Sequence, residues 1–299
     1  MALKEAAMIQ EHEVNQQTEP RPPVSLSKVL VATDFSKSSD RALEHALCVA
    51  RTYSSKIFLV HVIPVDLMTA PELAEASRDQ MRRSAREGME RILTSGRFFG
   101  IPHEGIIEEG TLWPNIEALI KKHEIDLLVL GTHGMGLVQK LLIGSSAEEI
   151  FRQARIPVLT VGPAVAPEPF YGINLKNILF ATAFGKGAER QAEYAFSLAE
   201  EHHSRITLLH VQQHPDQEQS IIDQLQELLP SSTDFKCLPL FRVEQGDAAI
   251  EILRVAEQTH ADLIVLGAKT RKGLAGHVPH TKAYQVVCGA SCPVLTIKS

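Results

Sequence analysis

The chain has 299 residues, about twice the ~150 that one domain usually takes, so two domains are expected. Its 44% hydrophobic and 22% charged residues are ordinary for globular proteins and exclude collagen-like, coiled-coil and wholly disordered chains. A net charge of −6 without a basic cluster disfavours a nucleic-acid partner, and apolar runs such as Leu127 to Leu130 fall far short of the ~20 residues of a membrane span.

Residues 1–24 are polar, end in a proline cluster (Pro20, Pro22, Pro23) and are expected to form a flexible tail. They lack the basic region, apolar core and small-residue cleavage site of a secretory signal, so export is not expected. The four cysteines, Cys48, Cys237, Cys288 and Cys292, are too few and too irregular for a disulfide framework, which fits a reducing, cytoplasmic location.

From Ser25 onward, short β-branched runs alternate with amphipathic stretches, the pattern of a parallel sheet with crossover helices. Strands are predicted at Val29 to Thr33, Ile57 to Ile63, Glu104 to Glu108, Leu127 to Gly131 and Val158 to Val161. A helix is predicted after Ser38 and Ser39, whose hydroxyls can take up free amides, and it would bury Ala42, Leu43, Ala46, Leu47 and Ala50. Another follows Thr111, tolerates Pro114 in its first turn and would bury Ile116, Leu119 and Ile120. Gly162 to Asn174 is proline-rich and reads as a linker.

The pattern then repeats. Lys28-Val-Leu-Val-Ala-Thr-Asp-Phe is similar to Lys176-Asn-Ile-Leu-Phe-Ala-Thr-Ala-Phe, and Phe58-Leu-Val-His-Val to Thr207-Leu-Leu-His-Val, both at an offset of 149. Asp126-Leu-Leu-Val-Leu-Gly matches Asp262-Leu-Ile-Val-Leu-Gly, and Pro157-Val-Leu-Thr-Val matches Pro293-Val-Leu-Thr-Ile, at an offset of 136. The lost 13 residues are expected to shorten the charged helical stretch from Glu72 to Phe99, whose counterpart is Asp216 to Leu229. The fold class is therefore α/β, two tandem doubly wound domains, each a five-stranded parallel sheet flanked by helices. The expected boundaries are a tail at 1–24, a first domain at 25–161, a linker at 162–174 and a second domain at 175–299.

Ligands of such sheets bind beyond the carboxyl ends of the strands, where the strand order reverses. After the fourth strand come Gly131, His133, Gly134 and Gly136, then Gly144, Ser145 and Ser146 before a helix from Ala147 to Ala154. Bare glycines let backbone amides approach a ligand, and a helix start favours an anion such as phosphate. After the first strand, Thr33-Asp34-Phe35-Ser36 supplies a carboxylate suited to ribose hydroxyls. Read blandly, the glycine loop is a connector, and Asp34 with Ser36 caps the first helix. His133 is a candidate phosphate contact, although packing or facing water is the commoner role of such a histidine. The P-loop and dinucleotide fingerprints are absent from these loops, which disfavours a P-loop NTPase or a hydride-transfer enzyme.

The spacing Gly131-x2-Gly134-x9-Gly144-Ser145, with Thr33-Asp34-x-Ser36, His61-Val62 and the closing Pro157-Val-Leu-Thr-Val, resembles the tandem type of the universal stress protein family. The resemblance covers roughly Ser25 to Ser299 and implies an adenine nucleotide alpha hydrolase-like fold. It implies ATP, or ADP or AMP, as ligand, with Mg²⁺ a possible companion of the triphosphate. Phosphates would lie on Gly131, Gly134, Gly144, Ser145 and Ser146, and the ribose and adenine on Thr33, Asp34 and Val62. It also implies a sensor or regulator of stress acting through nucleotide-dependent interactions, with an unidentified protein partner, and homodimerisation. A slow ATP hydrolase and a nucleotide-free scaffold are the alternatives. In the second copy Asp34 becomes Ala183, Gly134 becomes Thr270, Gly144 becomes His280 and Ser145 becomes Thr281, so one nucleotide per chain is expected.

No catalytic residue and no metal site is expected. His61 and His210 recur at matching strand ends without clustered partners, which favours a structural hydrogen bond over metal ligation. Cys288 and Cys292, four residues apart, read as packing. The last strands of the two copies, Val158 to Val161 and Val294 to Ile297, are expected to meet about a pseudo-twofold axis, because an uncovered apolar edge invites pairing.

Overall fold

The computed structural model describes residues 24–64, 71–132, 150, 153–166, 172–213, 218–230, 238–268 and 281–298. In the first half these form β1 (Lys28–Ala32), α1 (Lys37–Tyr53), β2 (Lys56–Ile63), α2 (Pro71–Leu93), β3 (His103–Glu109), α3 (Leu112–His123), β4 (Leu127–Gly131) and β5 (Val158–Val161). In the second half they form β6 (Asn177–Ala181), α4 (Ala188–His202), β7 (Arg205–Gln212), α5 (Glu218–Glu227), β8 (Leu240–Gln245), α6 (Ala248–Gln258), β9 (Leu263–Ala268), α7 (Lys282–Gly289) and β10 (Val294–Lys298). The five predicted strands lie within two residues of the observed ones. Helix α2 has 23 residues and its counterpart α5 has 10, which accounts for the shortening that the two offsets require.

All ten strands join one sheet in the order β3-β2-β1-β4-β5-β10-β9-β6-β7-β8. Each half is parallel and reverses its order beside its first strand, between β1 and β4 and between β6 and β9. The halves meet at the antiparallel pair β5–β10, where Leu159 is registered with its own counterpart Leu295. Thr160 and Thr296 repeat the symmetry: each hydroxyl donates across the joint, to the carbonyls of Val294 and Val158 at 3.0 and 3.2 Å. The expected axis through the last strands is thus present, and it turns two exposed edges into one ladder.

Burial follows the periodicity. Helix α1 buries Ala42, Leu43, Ala46, Leu47 and Ala50 as expected, and α3 buries Ile116 and Leu119 while Ile120 stays half-buried. Trp113 is a further buried side chain of α3. On the α1–α4 side of the sheet the core runs unbroken through both halves, from Val29 and Leu43 through Leu159 and Leu295 to Phe180 and Phe196. The opposite face carries two separate cores. Each fully buried aliphatic or aromatic side chain contributes about 1.5–3 kcal/mol relative to exposure, so the shared core ties the halves together.

One detail of the helix start differs from expectation. The amino-terminal cap of α1 is Ser36, whose hydroxyl accepts from the amide of Ser39 at 3.2 Å. Ser38 and Ser39 lie inside the first turn, because the helix already begins at Lys37. Thr111 does occupy the cap position of α3, but its side chain makes no capping bond.

Candidate functional site

The crevice to inspect lies at the carboxyl ends of β1, β2 and β4. Strand pairing continues past β1, with the amide of Thr33 donating to Val60 at 2.9 Å. The register of Val31 on Val129 brings Thr33 level with Gly131. Thr33 is buried and holds the turn in two ways: its hydroxyl accepts from the amide of Phe35 at 3.0 Å and lies 3.1 Å from the hydroxyl of Ser39. Its carbonyl faces Nδ1 of His61 at 2.8 Å. Phe35 adopts a left-handed φ of 63° and packs its ring against His61, with centroids 4.4 Å apart and the planes tilted by 31°. This locked turn fixes Asp34, whose carboxylate accepts from the amide of Ser36 at 3.0 Å and is half-buried at the rim. The bland reading is thus half right: Ser36 caps the helix, and Asp34 closes a local turn.

Val62, at the end of β2, is half-buried and pairs with Glu108. Gly131 ends β4, and a Cβ there would lie 2.6 Å from the carbonyl oxygen of Ser38. Close packing of the α1 start on β4 therefore requires this glycine whatever the ligand. The switch point thus carries the half-buried carboxylate of Asp34, the aliphatic Val62 of β2 and the positive end of a 17-residue helix. Thr33, Asp34, Val62 and Gly131 are brought together at adjoining strand ends. His133, Gly134, Gly144, Ser145 and Ser146 lie outside the described residues. Among the described residues no group of three or more His, Cys, Asp or Glu is arranged to hold a metal, and no helix is long and apolar enough to cross a membrane.

The second half repeats the scaffold of this turn and omits its carboxylate. The hydroxyl of Thr182 accepts from the amide of Phe184 at 3.1 Å, its carbonyl faces Nδ1 of His210 at 2.9 Å, and Phe184 stacks on that histidine at 4.6 Å. The recurring histidines accordingly have the structural hydrogen bonds expected of them. Ala183 stands where the first half has Asp34, and Gly187 caps α4 without a side-chain hydrogen bond. A Cβ on Gly267, the counterpart of Gly131, would meet the buried side chain of Gln191 at 2.4 Å. Gln191 replaces Ala42 of the first half, and it fills with an amide the gap that the α1 backbone closes on Gly131. Its position was discoverable from the offset of 149, but its contact with β9 was not.

Comparison with known proteins agrees with this architecture. The sequence model of the universal stress protein family matches residues 26–162 and 240–298. A universal stress protein of Methanocaldococcus jannaschii is 26% identical over 137 residues, covering 45% of this chain and 81% of its own length. One from Thermus aquaticus is 29% identical over 136 residues, covering 44% of this chain and 96% of its own. These relatives thus match less than half of this chain over most of their own length. The crystal structure of a universal stress protein from Archaeoglobus fulgidus is similar across 91% of this chain and 98% of its own, with a TM-score of 0.71 at 20% identity.

Proposed function

From the premise that this chain belongs to the universal stress protein family, we propose that its first half binds one adenine nucleotide, ATP, at the carboxyl ends of β1 and β4. The observation that carries this reading is the asymmetry at the two switch points. The same Thr–Phe–His turn is built twice, yet only the first copy places a carboxylate on it, Asp34 against Ala183. In the proposed complex Asp34 accepts from the ribose hydroxyls, Thr33 and Val62 flank the sugar and base, and Gly131, His133, Gly134, Gly144, Ser145 and Ser146 surround the phosphates. Any Mg²⁺ would travel with the triphosphate, held chiefly by phosphate oxygens. The described residues fit such a ligand: the Asp34 carboxylate is half-buried at the end of β1, Val62 on β2 is aliphatic and the adjacent helix end is positive.

The same reading divides the chain at 25–161 and 175–299 and makes the second unit a non-binding copy. Nucleotide occupancy then acts as the signal, changing which surfaces the protein offers to a partner. Because β5 already pairs with β10, a homodimer would form through another surface. The buried cysteines Cys48, Cys288 and Cys292, none of them in a disulfide among the described residues, fit a reducing, cytoplasmic setting. Calorimetry with ATP tests the proposal. A stoichiometry near one per chain, with Asp34→Ala weakening binding at least tenfold while the unfolding midpoint stays close to the parent, is expected. Unchanged affinity in Asp34→Ala, or two equal sites, would overturn it.

A further inference from the structure

The outer strands of the ten-stranded sheet, β3 and β8, are built differently. Strand β3 carries three carboxylates, Glu104, Glu108 and Glu109, and no Lys or Arg of its own, so two copies of it repel each other. Strand β8, Leu240-Phe-Arg-Val-Glu-Gln245, carries one charge of each sign and has neither the proline nor the lysine that commonly blunts an edge. Leu238 before it, Leu240 at its start and Ile250 on α6 are 83%, 55% and 65% exposed, three of the five large apolar side chains in the open among the described residues. The apolar surface is thus concentrated at this one edge.

The strand is also complementary to itself. The amide of Gly246 donates to the carbonyl of Gln212 on β7 at 3.2 Å, and alternate residues of a parallel strand turn both backbone groups to the same neighbour. Arg242 and Glu244 are therefore bonded inward, whereas Phe241, Val243 and Gln245 present their N–H and C=O groups to the outer edge. Antiparallel pairing with a second copy must set outward residues against outward residues, so the twofold axis passes through a residue. At Arg242 or Glu244 it would oppose like charges. At Val243 it opposes Arg242 to the partner's Glu244, twice by symmetry, at the non-hydrogen-bonded positions where Cα atoms come closest, about 4.5 Å apart. Neither charge is balanced within its own chain: the guanidinium of Arg242 donates to the neutral side chain of Gln258 at 3.1 Å, and Glu244 shares Arg254 with Glu251. Gln258, Arg254 and Ile250 follow one another at four-residue spacing, so they form the flank of α6 that faces this edge. Ile250 lies at the far end of that flank from Leu240. The axis at Val243 brings Leu240 to the end of the strand that carries the partner's Ile250, so apolar meets apolar where charge meets opposite charge.

We propose that β8 is the homodimer interface: two copies of this chain pair their β8 strands antiparallel about an axis at Val243 and join their sheets edge to edge. This gives the homodimer a surface without drawing on the nucleotide reading. Sedimentation velocity of the full-length protein at micromolar concentrations should show a dimer. Arg242→Glu and Glu244→Arg each set like charges across the axis, and each should weaken dimerisation at least tenfold. The double variant Arg242→Glu/Glu244→Arg restores opposite charges in the same register and should recover the dimer. Val243→Pro removes an amide that points outward and spares the ladder to β7, so the folded variant should be monomeric. The charge series decides the matter even if the proline variant fails to fold. A monomeric parent, single charge variants that dimerise like the parent, or a folded double variant that stays monomeric would each overturn the proposal. Calorimetry with ATP on the monomeric variants should match the parent, so failure of nucleotide binding and failure of this interface are read separately.

Discussion

The hydroxyl of Tyr53 lies 2.8 Å from Nε2 of His202, and the two residues are each other's counterparts at the offset of 149, closing α1 and α4 respectively. The same hydroxyl donates to Glu201 at 3.2 Å, leaving its lone pairs for an N–H of His202. Pseudo-symmetry brings equivalent positions face to face at the axis, and two different side chains there make a bond that two identical tyrosines or two neutral histidines would have to share differently. The contact is sealed on one side by the core that α1 and α4 share.

Replacing Tyr53 by Phe should therefore cost about 1 kcal/mol at pH 7, the usual worth of one such hydrogen bond. Burial first, and then the charge of Glu201, hold the tyrosine hydroxyl well above its ordinary ionisation range. The unfolded chain thus loses this proton first, near pH 10, and stability falls as pH rises beyond that point. Tyr53→Phe should lose part of this alkaline sensitivity. Urea unfolding of parent and variant at pH 7 and pH 10.5 checks both claims, and identical midpoints at both values would refute them.

His45 predicts an acid limit. Burial lowers its pKa to about 4, opposed in part by its bond to the backbone of Ala166. The folded state keeps the ring neutral where the unfolded chain, with a pKa near 6.5, takes up a proton. Stability is accordingly full above pH ~6.5 and declines as pH falls towards about 4. The interval corresponds to about 3 kcal/mol at most. His45→Leu should flatten this decline between pH 7 and pH 4.5, whatever its effect at neutral pH. A decline as steep as that of the parent would assign the acid sensitivity to other groups.

Gly131 and Gly267 are equivalent in sequence but not in what confines them. A Cβ on Gly131 strikes the backbone of Ser38 and Ser39, which can move only if α1 moves, whereas on Gly267 it strikes the side-chain amide of Gln191. Gly131→Ala should cost about 1–3 kcal/mol by overpacking. Gly267→Ala should cost less, and the double variant Gly267→Ala/Gln191→Ala, which restores the small residue that Ala42 provides in the first half, should recover most of the loss. A double-mutant cycle by chemical denaturation measures the coupling. Additive losses would show that Gln191 does not fill the gap.

Most of the sheet was legible because it rests on local patterns. Apolar runs located the first-half strands, the paired offsets located the second copy, and the edge argument joined Val158–Val161 to its counterpart. The helix start was misplaced because Ser36, Ser38 and Ser39 all qualify as caps, and only the backbone shows that Ser36 is the one lying outside the helix. At the site, the switch-point rule was enough to select Asp34 and Gly131. It could not reveal that Gly131 is required by α1, nor that Gln191 occupies the second copy, since both depend on contacts between elements distant in the chain. The bond between Tyr53 and His202 was invisible for the same reason: it needs residues some 150 apart to be brought to one point by the joint between halves.

Nucleotide binding should leave a one-sided signature in hydrogen exchange. A ligand that binds only the folded protein adds RT ln(1 + [L]/Kd), about 2.7 kcal/mol at a hundredfold excess over Kd. In the first half this acts where the ligand touches the backbone, on the turn at 33–39 that Thr33 and Asp34 build and on residues 133–146. The homologous turn at 182–188 has the same Thr182–Phe184 bond but lacks the carboxylate, so it gains nothing directly from ATP. Because the core on the α1–α4 side is continuous, some protection will spread to β5 and β10, falling off towards the outer strand β8. The expected result is therefore graded: strong slowing at 33–39 and 133–146, weak slowing at the joint, and none at 182–188 or 269–281. Equal slowing in both turns would mean that the second copy binds as well. Absence of slowing in both would remove the nucleotide and leave the chain as an interaction scaffold.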